Sequence, residues 1–150
     1  MLLVFYPFAF SGICTGELCE LRDNLEEFEA AGVTLLGISC DSVFAQKAWT
    51  AQEGFEFDLL SDFWPHGDVA RAYGVLDEDN GLALRGSFLL DADGIVRWSV
   101  VNPRGQRRDL DGYRRALEQL CALGAGRSWQ VAGCRTGRAV ADTALSLPPK

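Results

Sequence analysis

The sequence predicts an α/β fold: a mixed central sheet flanked by helices. Three observations carry this. Two continuous apolar runs, Leu2–Tyr6 and Val33–Ser39, read as strands buried on both faces. Each is followed by a segment of helical periodicity, the pattern of parallel β-α-β units. Further on, "GSFLLDADGIVRWSVV" reads as two strands joined at Ala92-Asp93-Gly94, where Asp-Gly is a hairpin signal. Such a hairpin adds antiparallel strands to the parallel ones.

Taken in order, Leu2–Tyr6 is the expected central strand. From about Thr15 to Ala31, Leu18, Leu21, Leu25 and Phe28 recur at spacings of three and four, predicting one amphipathic helix that stops at Gly32. Glu17 and Glu20 fall in its first turns, where negative charge suits the helix dipole. Val33–Ser39 is the second strand. Asp41-Ser42 offers caps for a helix over Val43–Glu53. "FDLLSD" is a short strand, "WPHG" a turn, Asp68–Tyr73 a short helix and "DEDNG" a loop. After the hairpin, Asp109–Leu123 is helical, with Leu110, Tyr113, Leu117 and Leu120 on one face. The expected domain is 1–123. Beyond Gly124 the periodicity fades, and 124–150 reads as a mobile tail.

At 150 residues the chain is one domain with room for a real core. Its net charge of −7 disfavours nucleic-acid partners, and Arg104-Gly105-Gln106-Arg107-Arg108 reads as a solvated loop rather than a phosphate-binding patch. No apolar run is long enough for a membrane span, and the N-terminal run is too short for a signal peptide. Five cysteines without a secretory signal do not suggest a disulfide framework, so the expected compartment is the cytoplasm.

Cys14 and Cys19 then stand out. Cys14 follows a buried strand and opens a helix, where unpaired N–H groups and the dipole favour a thiolate. The alternatives are an inert buried thiol, a metal site and a redox pair. Metal binding lacks a second matching pair of ligands, and His66 is the sole histidine, a turn residue. For a redox pair the spacing is not the thioredoxin type. Five helical positions advance about 7.5 Å and turn about 500°. The two side chains therefore face different sides, and a bond needing Cα atoms within about 7 Å would require the first turns to unwind. Cys40, after a buried strand, reads as structural; Cys121 and Cys134 carry no motif.

"PFAFSGIC" resembles the peroxiredoxin active-site pattern of a proline, a hydroxyl residue and the peroxidatic cysteine, on Pro7, Ser11 and Cys14. "LRGSFLLDADGIVR" resembles that family's arginine-bearing segment, on Arg85. "CTGELCELRD" and "LLSDFWPHGDVARAYGV" resemble the alkyl hydroperoxide reductase E-like subgroup, and the gap of four between the cysteines resembles the bacterioferritin-comigratory-protein type. The resemblance runs from Leu2 to about Leu123.

It implies a thioredoxin-like fold and a thiol-dependent peroxidase with no cofactor and no metal. Cys14 would attack hydrogen peroxide or an organic hydroperoxide and become a sulfenic acid. Ser11 would hydrogen-bond thiolate or peroxide, and Arg85 would stabilise the negative charge. Pro7 would shield the pocket, Glu17 would orient Arg85 and Cys19 would be the resolving thiol. The implied partners are the hydroperoxide, a thioredoxin, glutaredoxin-like or low-molecular-weight thiol reductant, and a second copy in a homodimer. The family's usual N-terminal hairpin and strand are absent ahead of Leu2. That predicts uncovered apolar surface and makes a non-catalytic thioredoxin-fold relic or interaction module the alternative function.

Overall fold

The computed structural model describes residues 1–124. The tail expectation for 124–150 lies almost wholly outside the described residues. Five strands form one mixed sheet: β1 (Leu2–Phe5), β2 (Leu35–Ser39), β3 (Asp58–Ser61), β6 (Arg85–Leu90) and β7 (Val96–Asn102). Their order is β3-β2-β1-β6-β7. The first three are parallel, and β6 and β7 pair antiparallel onto β1. A small hairpin of β4 (Leu76–Asp77) and β5 (Leu82–Ala83) encloses the predicted "DEDNG" loop.

β1 is central because it has no polar face. Leu2, Val4 and Tyr6 point into one core, and Leu3 and Phe5 into the other, as the two-residue strand period requires. The first core is closed by α1 (Gly12–Asp23), α2 (Leu25–Ala30), α3 (Val43–Glu53) and α5 (Leu110–Gly124), through Leu18, Phe28, Trp49 and Tyr113. The second packs Ala70 of α4 (Asp68–Ala72) and Val75 against Phe5 and Phe88.

The sheet, the hairpin and the helices after β2 follow the sequence reading closely; α3 spans the residues expected of it. The single helix expected over Thr15–Ala31 is corrected. Helix α1 begins earlier, at Gly12, and the chain breaks at Asn24, whose φ of −119° leaves the helical region. The Asn24 side chain donates to Glu20 O, a carbonyl of the last turn of α1. That local competition for backbone partners is the usual reason asparagine interrupts helices. The apolar spacing survives the break, which is why periodicity missed it. Of the two caps expected for α3, one serves. Ser42, not Asp41, caps α3 by accepting the Ala45 N–H. Trp64 lies in a turn, as read for WPHG, and is 83% exposed.

Among the described residues no helix is long and apolar enough to cross a membrane.

Candidate active site

The C-terminal end of β1 delivers the chain into a short turn and then α1. Tyr6 and Pro7 are buried. Phe10 has φ +62°, and it is the non-glycine residue with positive φ among the described residues. A side chain in that left-handed region costs about 1–2 kcal/mol. Ser11 is the N-cap residue of α1, extended at φ −75° and ψ 141°, yet its side chain makes no capping bond. Its Oγ is buried without a hydrogen-bond partner among the described residues. Cys14 is the third residue of α1, a free thiol with no exposed surface. A helix start presents unpaired N–H groups and a positive dipole end.

One turn on from Cys14, Glu17 is only 4% exposed. It is therefore not the solvated first-turn glutamate that dipole arguments alone would give. Its Oε2 accepts from Arg85 Nη1 at 2.5 Å and from Arg108 Nη2 at 2.9 Å. Its Oε1 accepts from the Arg108 backbone N–H at 2.6 Å and from Nε at 3.2 Å. Burial alone would raise the Glu17 pKa, but the hydrogen bonds and charges of Arg108, followed by the charge of Arg85, outweigh it and hold the carboxyl below its ordinary range. Arg85, at the start of β6, also donates from Nε to Arg104 O at 2.6 Å. Two anchors fix the plane of its guanidinium. Three positions separate Cys14 from Glu17, so both lie on one face of α1, and that face carries the carboxylate that holds Arg85.

Arg108 corrects the sequence reading of 104–108 as solvated. Arg104 and Arg107 are exposed, but Arg108 is 4% exposed. Its Nη1 donates to Phe5 O, Gly86 O and Ser87 Oγ, all within 2.9 Å. Arg108 therefore ties the end of β1 and the start of β6 to Glu17. No local pattern marks it. The one hint is that it stands two residues before Leu110, where the chain returns to the core.

A second polar group borders the turn. Asp41 Oδ2 accepts the Ala9 N–H and the Ser39 hydroxyl, each at 2.8 Å. Ser39 Oγ in turn accepts from Gln46 Nε2 at 3.1 Å. Burial first, and then the charge of Asp41, hold the Tyr6 phenol well above its ordinary pKa, so it stays neutral.

The other thiols differ in setting. Cys19 is half-buried on the same unbroken helix, and its Sγ lies 3.6 Å from Glu53 Oε2. Burial and the Glu53 contact raise its pKa against the lowering effect of Arg22. Cys40 is buried at the end of β2, and burial, Asp62 and Asp41 push its thiol up to about 11. Among the described residues no three His, Cys, Asp or Glu side chains gather as a metal site. A recess of about 410 Å³ between β7 and α5, lined by Trp98, Arg107 and Arg115 among others, does not include Cys14.

The family model for the AhpC/TSA family matches residues 1–99. The chain belongs to the AhpC/TSA family. It is 49% identical over 122 residues to alkyl hydroperoxide reductase E of Mycobacterium tuberculosis, covering 81% of this chain and 80% of that protein. It is 35% identical over 127 residues to the chloroplastic 2-Cys peroxiredoxin BAS1 of Hordeum vulgare, covering 80% of this chain and 60% of that one. The crystal structure of Enterococcus faecalis AhpC superposes with a TM-score of 0.76 at 30% identity, over 87% of this chain and 78% of that chain. Reduced Plasmodium vivax 2-Cys peroxiredoxin gives 0.75 at 31%, over 83% and 78%.

As an AhpC/TSA-family chain it is a peroxiredoxin with a thioredoxin-type fold, and by kind a thiol-dependent peroxidase. Its fold brings Glu17 to Arg85 across 68 positions of sequence. Cys14, Ser11 and Pro7 follow one another along the turn that leads into the same helix. Cys19 stays apart from Cys14, as the helix geometry requires. Arg108 and Asp41 complete the surroundings.

Proposed function

We propose that this chain reduces hydrogen peroxide and organic hydroperoxides with Cys14 as the attacking thiolate. The observation that carries the reading is the placement of Cys14: a fully buried thiol in the first turn of α1, one turn from the glutamate that fixes Arg85. The Cys14 thiolate attacks the terminal peroxide oxygen, the O–O bond breaks and a proton is taken up. The products are the Cys14 sulfenic acid and water or an alcohol. In this reading Arg85, always charged, stabilises charge moving onto the departing oxygen. Ser11 Oγ, left unpaired by the fold, is available to hydrogen-bond thiolate or peroxide. Pro7, buried and without an N–H, keeps that side of the pocket dry.

Cys19 is the resolving thiol in this reading. Its sulfur attacks the Cys14 sulfenic sulfur, water leaves and a disulfide forms. A thioredoxin or glutaredoxin-like dithiol then reduces the bond. The step requires the first turns of α1 to open, because the helix holds the two thiols on different faces. A one-cysteine cycle closed by an outside low-molecular-weight thiol is the second reading. It is favoured by the Cys19 contact with Glu53 and by its raised pKa. Either cycle needs a reducing compartment, which we take to be the cytoplasm, and the enzyme is read as working as a homodimer.

The test is intact mass and peptide mapping of reduced protein after one equivalent of hydrogen peroxide. Loss of two hydrogens with a Cys14–Cys19 link supports the two-cysteine cycle. One added oxygen on Cys14 supports the one-cysteine cycle. Full thiol peroxidase turnover by Cys14→Ser would overturn the assignment.

A further inference from the structure

We propose that Asp41 is a positioning residue for the Cys14 reaction: by accepting the Ala9 N–H, its carboxylate holds the Pro7–Ser11 turn in the shape that sets Ser11 and the first turn of α1 around the thiol. The inference rests on Cys14 being the peroxide-reactive thiol.

Four observations support it. Asp41 directly precedes the N-cap of α3, yet Ser42 alone performs the capping. The Asp41 side chain instead reaches across 32 positions of sequence to the Ala9 N–H, at 2.8 Å. Next to Ala9 stands Phe10 at φ +62°, a conformation that a bulky side chain keeps only when its surroundings over-determine it. Two restraints flank that residue. One is the Asp41 bond on Ala9. The other is the contact of the Phe10 ring with Trp49, a fully buried side chain, at 6.0 Å between centroids.

Asp41 is itself held. Ser39 donates to the oxygen that takes the Ala9 N–H, and Gln46 braces Ser39. Ser61 donates to the Asp41 carbonyl at 2.6 Å. The turn is thus pinned to the ends of β2 and β3, rigid elements of the sheet. Without the carboxylate, Phe10 is free to fall back to a negative φ. That rotation would carry Ser11, the next residue, away from its place beside the helix start. Orientation losses of this kind act on the reaction that needs the geometry and spare reactions that do not.

The test compares two rates on Asp41→Ala, Asp41→Asn and the unaltered full chain. One is the second-order rate of Cys14 oxidation by hydrogen peroxide. The other is the rate of Cys14 alkylation by iodoacetamide, which needs the thiolate but not the peroxide geometry. Asp41→Ala is expected to lower the peroxide rate by roughly 10- to 100-fold while alkylation changes less than about threefold. Asp41→Asn keeps an oxygen that can accept both the Ala9 N–H and the Ser39 hydroxyl, and is expected to restore the peroxide rate to within about threefold. An unchanged ratio of the two rates in Asp41→Ala overturns the proposal. So does an Asp41→Asn variant as impaired as Asp41→Ala, because then the acceptor is not what matters.

If Asp41→Ala does not fold, amide hydrogen exchange on the unaltered protein decides. The Ala9 N–H is expected to exchange at least about tenfold more slowly than that of the neighbouring Phe8. Equal exchange overturns the tether. Oxidation of the unaltered protein at a thiol other than Cys14 overturns the catalytic reading and this one together. A normal Cys14 reaction that ignores Asp41 overturns this one alone.

Discussion

Glu17 and Arg108, 91 positions apart, meet through three hydrogen bonds from the arginine to one buried carboxylate. The contact joins α1, which carries Cys14, to the segment entering α5. Because Arg85 shares Glu17 Oε2, one carboxylate serves two buried guanidinium groups.

Arg108→Met is expected to be strongly destabilising. It removes one charge of a buried ionic cluster and takes the Arg108 donor from Phe5 O, Gly86 O and Ser87 Oγ, of which Ser87 Oγ keeps its bond with the Tyr113 hydroxyl. Breaking a buried pair from one side costs about 3–5 kcal/mol. Urea unfolding should show the midpoint fall with little change in slope. A midpoint within experimental error of the unaltered protein would contradict the buried network.

Acid should weaken the fold through Glu17. Its folded pKa is depressed, chiefly because Arg108 outweighs the opposing effect of burial. The unfolded chain therefore takes up a proton first as pH falls. The stabilisation is present above the ordinary glutamate pKa, near 4.5, and is lost as pH drops through the lower folded value. Melts between pH 7 and pH 3 should show a steep loss below about pH 4.5. In Glu17→Gln that part of the slope should vanish, on a lower baseline.

Cys40 should resist alkylating agents at neutral pH. Burial and the nearby Asp62 and Asp41 push its thiol up to about 11, so it holds its proton at neutral pH. Timed iodoacetamide labelling with mass mapping at pH 7 should leave Cys40 intact in folded protein and modify it once the chain is unfolded in urea. As pH rises above the ordinary thiol value of 9.0 toward 11, the unfolded chain loses the Cys40 proton first, so stability should decline. Cys40→Ala should make that decline shallower, leaving the part due to the raised Cys19 and Tyr6. Rapid labelling of Cys40 at pH 7 would refute its setting.

Arg85→Lys should slow Cys14 oxidation by roughly 10²-fold while costing less stability than Arg108→Met. Lysine keeps the charge, but its compact ammonium cannot hold Glu17 and Arg104 O at once as the planar guanidinium does. Stopped-flow oxidation by hydrogen peroxide gives the rate. A loss below threefold would make Arg85 structural only.

Gly86→Ala should destabilise the sheet. A β-carbon there would stand 2.8 Å from Val75 Cγ1 and 3.1 Å from a Phe88 ring carbon. Overpacking of this kind costs about 1–3 kcal/mol, visible as a lower melting temperature. An unchanged melt would mean that Val75 yields without cost.

The sequence by itself determined the sheet and the place of Cys14. β1 and β2 announce themselves as unbroken apolar runs, and α3 begins at its own cap. The Asp93-Gly94 turn sets the β6–β7 hairpin. These are local signals, written within about one helical or strand repeat. The fold was also legible as a resemblance to peroxiredoxins, which pointed to Pro7, Ser11, Glu17 and Arg85. Only the tertiary structure decided which charges are buried. Arg107 and Arg108 are neighbours with the same chemistry, yet one lies at the surface and the other carries the Glu17 network. Likewise Asp41 and Ser42 both offer helix caps, and packing against the turn at Ala9 diverts the first to another task. In each case the deciding partner lies 32 to 91 positions away, and a buried charge is stable only where such a partner waits for it. Local spacing carries no record of that partner; the closed fold supplies it.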